Sequence, residues 1–440
     1  MPGGRRVTSR AATGAPVRAS RLGASRLLTK VPLTMTLDQS LCRLASWDRP
    51  LRLIATGGGT GGHTYPAITT IRAARDLLAG AGVGLDVLYV GSAGGLEARV
   101  AEQEQLSFQA VSTGKLRRST NPLRMISAAN LRDVGRVTRG LVEARRVVRA
   151  FRPDVVLSTG GYVAVPVGLA ARAVGAPLLV HEQTTRLGLA NRLLVRRATA
   201  VALSSPTSVE LLPAGVRARA VVTGNPIRAE LLCGDAGSGV TELGWAGWDA
   251  ALPTVYVTGG AQGSVQVNRL VEAVLEQVLP RANVVHQCGS SSLPDLRRRA
   301  ARLPAGLAGR YRVIEFVGSE LPDVLALADV VVSRSGAGTL AELTALGKPS
   351  VLIPLIPTGG NEQEHNARYL QQAGAAHALL GHPPTPHDLT QALDGLIGDP
   401  TLRAGMAARA ARLGRPHAAH DLAAVLLNLA GGEPATQSDG

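Results

Sequence analysis

Three times along this chain a short apolar run breaks into a glycine-rich loop and then into a helix-like segment. Leu51–Ala55 leads into Gly57-Gly58-Gly59-Thr60-Gly61-Gly62-His63, and Thr254–Val257 leads into Gly259-Gly260-Ala261-Gln262-Gly263. Val330–Val332 leads into Ser335-Gly336-Ala337-Gly338-Thr339. Short apolar strands alternating with helices imply a parallel sheet, with ligands beyond the carboxyl ends of the strands. Glycines let backbone N–H groups approach a ligand, and the following helix start adds partial positive charge, so each loop can cradle an anion. One loop lies in the first half of the chain and two in the second. That layout predicts two α/β domains with a phosphate-bearing ligand in the cleft between them.

The strand–helix rhythm continues through Asp86–Val90, Asp154–Ser158 and Pro177–His181, with a helix over Pro66–Leu78. It restarts at Thr254–Val257 and runs through Asn283–Gln287, Val313–Val317, Asp329–Val332 and Ser350–Pro354. The expected division is an N-terminal domain over 49–230, a glycine-rich linker over 231–252 and a C-terminal domain over 253–414. A last helix, about Ala418–Leu429, is placed to cross back to the first domain, and 431–440 reads as a polar tail. A chain of 440 residues is long enough for two full cores. Residues 1–48 read as disordered or as an artefact of start-site choice, with Met35 the alternative start and an organellar address the remaining reading. No apolar core follows Arg5-Arg6, and the longest apolar stretch, Val163–Val180, is broken by Pro166, Arg172 and Pro177, so no spanning helix is expected.

The formal net charge is +15, and residues 1–50 supply much of it, with nine basic residues against Asp38 and Asp48. A second excess runs from Lys115 to Arg152, where eleven basic residues face only Asp133 and Glu143. Within it Leu116, Leu123, Met125, Ile126 and Leu131 are interleaved with Arg117, Arg118, Arg124 and Arg132. That pattern fits a surface dipping into an anionic membrane interface, or a solvated helix face with its core stripe. Aromatics are only 3%, too few for the stacking platforms of a nucleic-acid binder. Cys42, Cys233 and Cys288 have no metal-type or disulfide spacing, which fits a reducing cytoplasm. Asp-x-Asp occurs nowhere, so a metal-bridged sugar-nucleotide site has no obvious ligands and no cofactor is expected.

Several residues carry two readings each. Gly57-x-Gly59-x-x-Gly62 fits a dinucleotide fingerprint with Asp86 as a loosely spaced distal acid, yet such a fingerprint needs only backbone where His63 stands. His63 can act as a general base on a hydroxyl or cap the helix that it opens. Arg228, in Thr223-Gly224-Asn225-Pro226-Ile227-Arg228, can fork onto a diphosphate or sit on the surface. Glu342 can accept from a ribose diol or close a capping box with Thr339. The polar loop Pro357–Asn366, with Glu362 and Gln363, can read sugar hydroxyls or cap a helix continuing to about Ala373, with Gly374 its stop.

Taken together these motifs resemble the MurG family of bacterial glycosyltransferases. Its carriers are GGTGGH (58–63), GGYV (160–163), HEQ (181–183), TGNPIR (223–228), GGAQG (259–263), ADVVVSRSGAGTLAE (328–342) and QEHNARYLQQAGAA (363–376), all in order. The resemblance implies a GT-B fold of two Rossmann-like parallel-sheet domains facing a cleft. It implies inverting transfer of N-acetylglucosamine from UDP-GlcNAc to undecaprenyl-linked lipid I, at the cytoplasmic face of the membrane. By position, His63 would be the base and Thr60, Gly61 and Gly62 would hold the acceptor diphosphate. Arg228, Gln262 and Gly263 would meet the UDP phosphates, with Ala261 in the same donor loop, and Val317 would lie near the uracil. Ala337, Gly338, Thr339 and Glu342 would line the donor site with Glu342 on the ribose, while Thr184, Glu362 and Gln363 would face the sugar. Segment 115–132 would face the inner leaflet, and other cell-wall synthesis proteins are candidate partners.

Three positions depart from the family pattern. Thr184 stands where the family usually has Asn, Ala261 where it commonly has Ser, and Glu362 where it has Gln. All three are on the donor side, so a related transferase with another UDP-sugar or a natural-product acceptor is the alternative within enzymes. A catalytically silent lipid-binding paralogue is the alternative outside them, and the intact His63, Arg228 and Glu342 set argues against it.

Overall fold

The computed structural model describes residues 35–114, 128–355, 361–381 and 383–432, with the side chains of 128–134 left out. Among these residues the strands form two sheets, parallel throughout. The first contains β1 (Leu51–Gly57), β2 (Leu85–Gly91), β3 (Ser107–Ala110), β4 (Val155–Gly160), β5 (Leu178–Glu182), β6 (Ala200–Leu203) and β7 (Ala220–Val222), in the order β3-β2-β1-β4-β5-β6-β7. The second contains β8 (Thr254–Thr258), β9 (Asn283–Gln287), β10 (Tyr311–Ile314), β11 (Val330–Ser333), β12 (Ser350–Leu352) and β13 (His377–Ala378), in the order β10-β9-β8-β11-β12-β13.

Strand order reverses between β1 and β4 in one sheet and between β8 and β11 in the other. A crevice opens beyond the strand ends at each such point. The first glycine loop and Gly160-Gly161 flank one crevice; the second and third glycine loops flank the other. Both faces of each sheet are covered, which explains strands that are apolar at every position. Leu53, Ala55 and Leu157 face one core while Ile54, Val156 and Val180 face another. Val255, Val257 and Val332 are likewise set against Tyr256 and Val331.

The structure corrects several expectations. The strand expected over Val313–Val317 ends at Ile314, which leaves Val317 in the loop beyond. The short strands β3, β6, β7 and β13 were not anticipated. The Pro66–Leu78 helix spans Gly61–Gly80 and so begins inside the glycine loop, with Pro66 within it. Residues 36–48 are not disordered: Leu37–Ala45 is a helix with a Thr36/Gln39 capping box, and its Leu44 is fully buried. It packs on the last helix, Ala418–Gly431.

That last helix does return to the first sheet. Its Leu422 and Leu426 share a core with Leu53 and Leu78, and each such side chain contributes about 1.5–3 kcal/mol of burial. The expected linker over 231–252 instead folds onto the second sheet. A helix over Ala236–Glu242, capped by Asp235, is followed by Trp245, whose Nε1 donates to the Gly309 carbonyl at 2.8 Å. Leu231, Leu243 and Trp245 complete the core around Tyr256 and Val324. No helix among the described residues is long and apolar enough to cross a membrane.

Candidate active site

His63 is the third residue of the helix that leaves the first glycine loop, where Thr60 occupies the N-cap without a side-chain cap bond. Its ring does not cap that helix. Nδ1 lies 2.9 Å from the Thr159 carbonyl and 3.2 Å from Gln183 Oε1. Both partners only accept, so Nδ1 carries the proton and Nε2 keeps its lone pair. The loops after β1 and β4 press together here: Gly161 has φ of +85°, and a Cβ on it would overlap the Gly58 carbonyl. Glu97 braces the loop from below, accepting from Gly59 N at 3.2 Å and Ser92 N at 3.0 Å. Burial alone would raise its pKa, but the hydrogen bonds from Ser92 and Gly59 outweigh burial and hold it below the ordinary value.

Around β5 the chain is dense with polar contacts. Fully buried His181 sits 3.0 Å from the Gly224 carbonyl through Nε2, and burial pulls its pKa down to about 4, with the nearby His63 adding to the drop. Glu182 takes Asn191 Nδ2 at 2.9 Å, Gly188 N at 2.8 Å and Thr184 N at 3.1 Å. Thr184 turns its hydroxyl between Glu182 Oε1, at 2.8 Å, and the Arg186 carbonyl, so it braces its own loop. Thr185 reaches the second half, donating to Asn366 Oδ1 at 3.2 Å.

In the second half the Gly259–Gly263 loop closes with Gly263 N donating to the Gly260 carbonyl at 2.9 Å. Gly263 has φ of +74°, and a Cβ there would overlap the Cys288 carbonyl. Ala261 and Gln262 stand exposed at its tip. Ser264 caps the next helix, Val265–Val278, by accepting from Val267 N. Part of that helix start is therefore taken by protein. The helix Ala337–Ala345 begins after Gly336, with Ala337, Gly338 and Thr339 as its first turn and no side-chain cap.

No Thr339/Glu342 capping box forms, because the helix starts two residues before Thr339. Glu342 instead pairs with Arg228 at 3.3 Å, which brings a residue beyond β7 onto the second half. Burial raises the Glu342 pKa, and the Arg228 charge and hydrogen bond offset only part of that. Buried Val317 donates its N–H to Gln287 Oε1 at 2.9 Å.

Gln363 Oε1 accepts from Leu355 N at 3.0 Å, while Glu362 is exposed in the same first turn. Asn361 at this N-cap makes no cap bond, and the helix Glu362–Gln372 ends at Ala373 before Gly374, as the sequence suggested. A cavity of about 230 Å³ separates the halves nearby, lined by Gln183, Thr185, Asn225, Ala337 and Asn366 among others. The basic segment 115–127, with Arg117, Arg118 and Arg124, lies outside the described residues, as do Pro357–Gly360, and nothing is described of the Leu131 and Arg132 side chains.

Sequence reasoning placed His181 and Gln183 at a strand end but gave them no task. The signal available was their spacing of two, which in extended chain puts both side chains on one side where β5 ends. Glu97, Thr159 and Asn191 left no such signal.

Comparisons with known proteins agree with this arrangement. Residues 53–203 match the glycosyltransferase family 28 N-terminal domain and residues 254–422 its C-terminal domain. A protein of Desulfitobacterium hafniense named UDP-N-acetylglucosamine--N-acetylmuramyl-(pentapeptide) pyrophosphoryl-undecaprenol N-acetylglucosamine transferase is 35% identical, over 86% of this chain and 100% of its own. A Lachnospira eligens protein of the same name is 34% identical, over 79% and 91%. The crystal structure of Acinetobacter baumannii MurG superposes with a TM-score of 0.67 at 26% identity, covering 86% of this chain and 99% of its own. The glycotransferase of kitacinnamycin, at 20% identity and a TM-score of 0.59, shares the fold. Both family 28 domains and relatives matched over nearly their full length show that this chain is a UDP-sugar-dependent glycosyltransferase of the GT-B fold and belongs to the MurG family.

Proposed function

We propose that this protein transfers N-acetylglucosamine from UDP-GlcNAc to the C4 hydroxyl of MurNAc in undecaprenyl-pyrophosphoryl-MurNAc-pentapeptide, turning lipid I into lipid II with inversion at the anomeric carbon. The carrying observation is a histidine whose Nδ1 is engaged by two acceptors, leaving Nε2 its lone pair, at one switch point, together with phosphate-type glycine loops at the other. The names of the full-length relatives supply the substrates.

His63 Nε2 takes the proton from the acceptor hydroxyl as that oxygen bonds to the anomeric carbon. The bond from that carbon to the β-phosphate oxygen breaks, and negative charge grows on UDP. The Gln262 amide on the loop that Gly263 closes, the helix start at Ala337–Thr339 and the Arg228 guanidinium stabilise that charge. Thr60, Gly61 and Gly62 hold the acceptor diphosphate. Glu342 accepts from the ribose, Val317 lies by the uracil, and Glu362 and Gln363 face the sugar. Thr184 and Ala261 sit where the family usually offers an amide and a hydroxyl, and each lost contact costs about 0.5–1.5 kcal/mol, which weakens donor binding without abolishing it. Residues 49–230, with the returning helix, form the acceptor half, and 253–414 the donor half.

The enzyme works peripherally at the cytoplasmic membrane face, beside other cell-wall enzymes, with segment 115–132 against anionic lipid. Arg117, Arg118 and Arg124 replaced together by Ser should lower binding to anionic liposomes in a salt-dependent manner. Unchanged binding moves the membrane face elsewhere. The reaction itself is tested by NMR of the product formed from UDP-GlcNAc and a short-chain lipid I analogue. A β-linked GlcNAc on the MurNAc C4 oxygen is expected; an α-linkage or another attachment point contradicts it.

A further inference from the structure

We infer that Gln183 is a positioning residue, which holds the His63 ring so that its proton sits on Nδ1 and its Nε2 lone pair faces the cleft. The inference rests on the reading of His63 as the base. Gln183 Nε2 is ringed by acceptors: the Thr159 carbonyl at 2.7 Å, His181 Nδ1 at 3.1 Å and the His181 carbonyl at 3.2 Å. An amide nitrogen must face such a set and an amide oxygen cannot. The orientation of the Gln183 amide is therefore fixed, and Oε1 is the atom left for His63 Nδ1, at 3.2 Å. With the Thr159 carbonyl at 2.9 Å as the other neighbour, Nδ1 meets only acceptors.

His181 completes the chain. Its Nε2 donates to the Gly224 carbonyl at 3.0 Å, so its Nδ1 is the bare nitrogen that Gln183 needs. Fully buried, it stays neutral and keeps one donating and one accepting nitrogen. The run His63–Gln183–His181–Gly224 thus has one consistent set of donors and acceptors, with the two Gln183 Nε2 hydrogens shared among three acceptors. The run ends at the Thr223–Arg228 segment, which carries the chain from the base to the Arg228–Glu342 contact. A positioned ring matters because a displacement of about 1 Å can cost on the order of a hundredfold in rate.

Two variants separate positioning from packing. Gln183→Met matches the length and removes all polarity; Gln183→Asn keeps the amide, one methylene shorter. Nitrogen-15 NMR of histidine-labelled protein reads the His63 tautomer, and steady-state kinetics with UDP-GlcNAc and a lipid I analogue read kcat against KM. The expected results are an Nδ1–H tautomer in the wild type and a kcat loss of roughly tenfold to a hundredfold in Gln183→Met. Donor KM should stay within about twofold, and the His63 Nδ1–H signal should shift and broaden as the ring keeps only the Thr159 carbonyl. Gln183→Asn, which keeps both amide donors and an amide oxygen, should exceed Gln183→Met in kcat. A wild-type His63 protonated on Nε2, or a Met variant with unchanged signal and rate, overturns the inference. An Nδ1–H signal that responds to Gln183, beside a fully active His63→Ala, overturns instead the reading of His63 as base.

Discussion

The crevices of the two halves use one backbone device for different ends. In the first, Gly161 lets the loop after β4 press on Gly58; in the second, Gly263 lets the loop after β8 press on Cys288. Each glycine has positive φ, and each contact shapes a loop that can face phosphate. The helices beyond these loops begin differently. The helix leaving the first carries an oriented imidazole as its third residue, while the one leaving the second is already capped by Ser264. The first crevice therefore holds a group that can move a proton, and the second holds charge, amides and the Arg228–Glu342 pair. Similar backbones divide the labour because chemistry needs one side chain in one place, whereas grip on a nucleotide can be spread over many groups.

The largest expected break in this comparison is His63→Ala. It should lower kcat by about 10²–10⁴-fold, the usual worth of a general base, while UDP affinity measured by calorimetry stays near wild type. A matching loss of UDP affinity would move His63 into the binding set. Arg228→Ala tests the other half. It should weaken UDP and UDP-GlcNAc together by about 1.5–3 kcal/mol, as loss of a charged hydrogen bond does, and an unchanged Kd removes it from the site.

Gly161→Ala and Gly263→Ala should each cost more stability than the about 1–3 kcal/mol of backbone strain alone, because the added Cβ also meets a backbone carbonyl. Their functional losses should differ, with acceptor turnover falling in the first and UDP affinity in the second, read by thermal unfolding beside the two assays. The smallest expected effect is one of pH. Glu342 titrates above an ordinary glutamate, because burial disfavours its charge. UDP affinity should then begin to fall, as pH is lowered, before an ordinary carboxylate would protonate. In Arg228→Ala the onset should move to still higher pH, because the guanidinium that lowers that pKa is gone. An onset that stays fixed between the two proteins removes Glu342 from UDP recognition.

Much of this was legible in the chain itself. Strands buried on both faces announce themselves as apolar runs, and glycine loops mark their carboxyl ends, so β1, β4, β5, β8, β9 and β11 were found nearly to the residue. What failed did so where partners are distant in sequence. The helix Leu37–Ala45 is stabilised by the last helix, almost four hundred positions away, and its one local mark, the Thr36-x-x-Gln39 capping-box spacing, is too short a signal to separate it from the basic stretch before it. Residues 231–252 look like a linker by their glycines, but Trp245 buries itself against the second sheet. Thr339-x-x-Glu342 has the spacing of a capping box, and only the true helix start at Ala337 frees Glu342 for Arg228. The run from His63 to Gly224 joins three segments distant in sequence, so it needed the fold to become visible.

Transfer to a lipid-linked acceptor is tested most directly by UDP release with a short-chain lipid I analogue. It should be run with UDP-GlcNAc beside UDP-GalNAc and UDP-glucose. Fast release that requires the acceptor and occurs with UDP-GlcNAc alone is the predicted result, and it would make Thr184, Ala261 and Glu362 tolerated variations. Preference for another donor, or UDP binding without acceptor-dependent release, would contradict it and make those three residues the decisive ones.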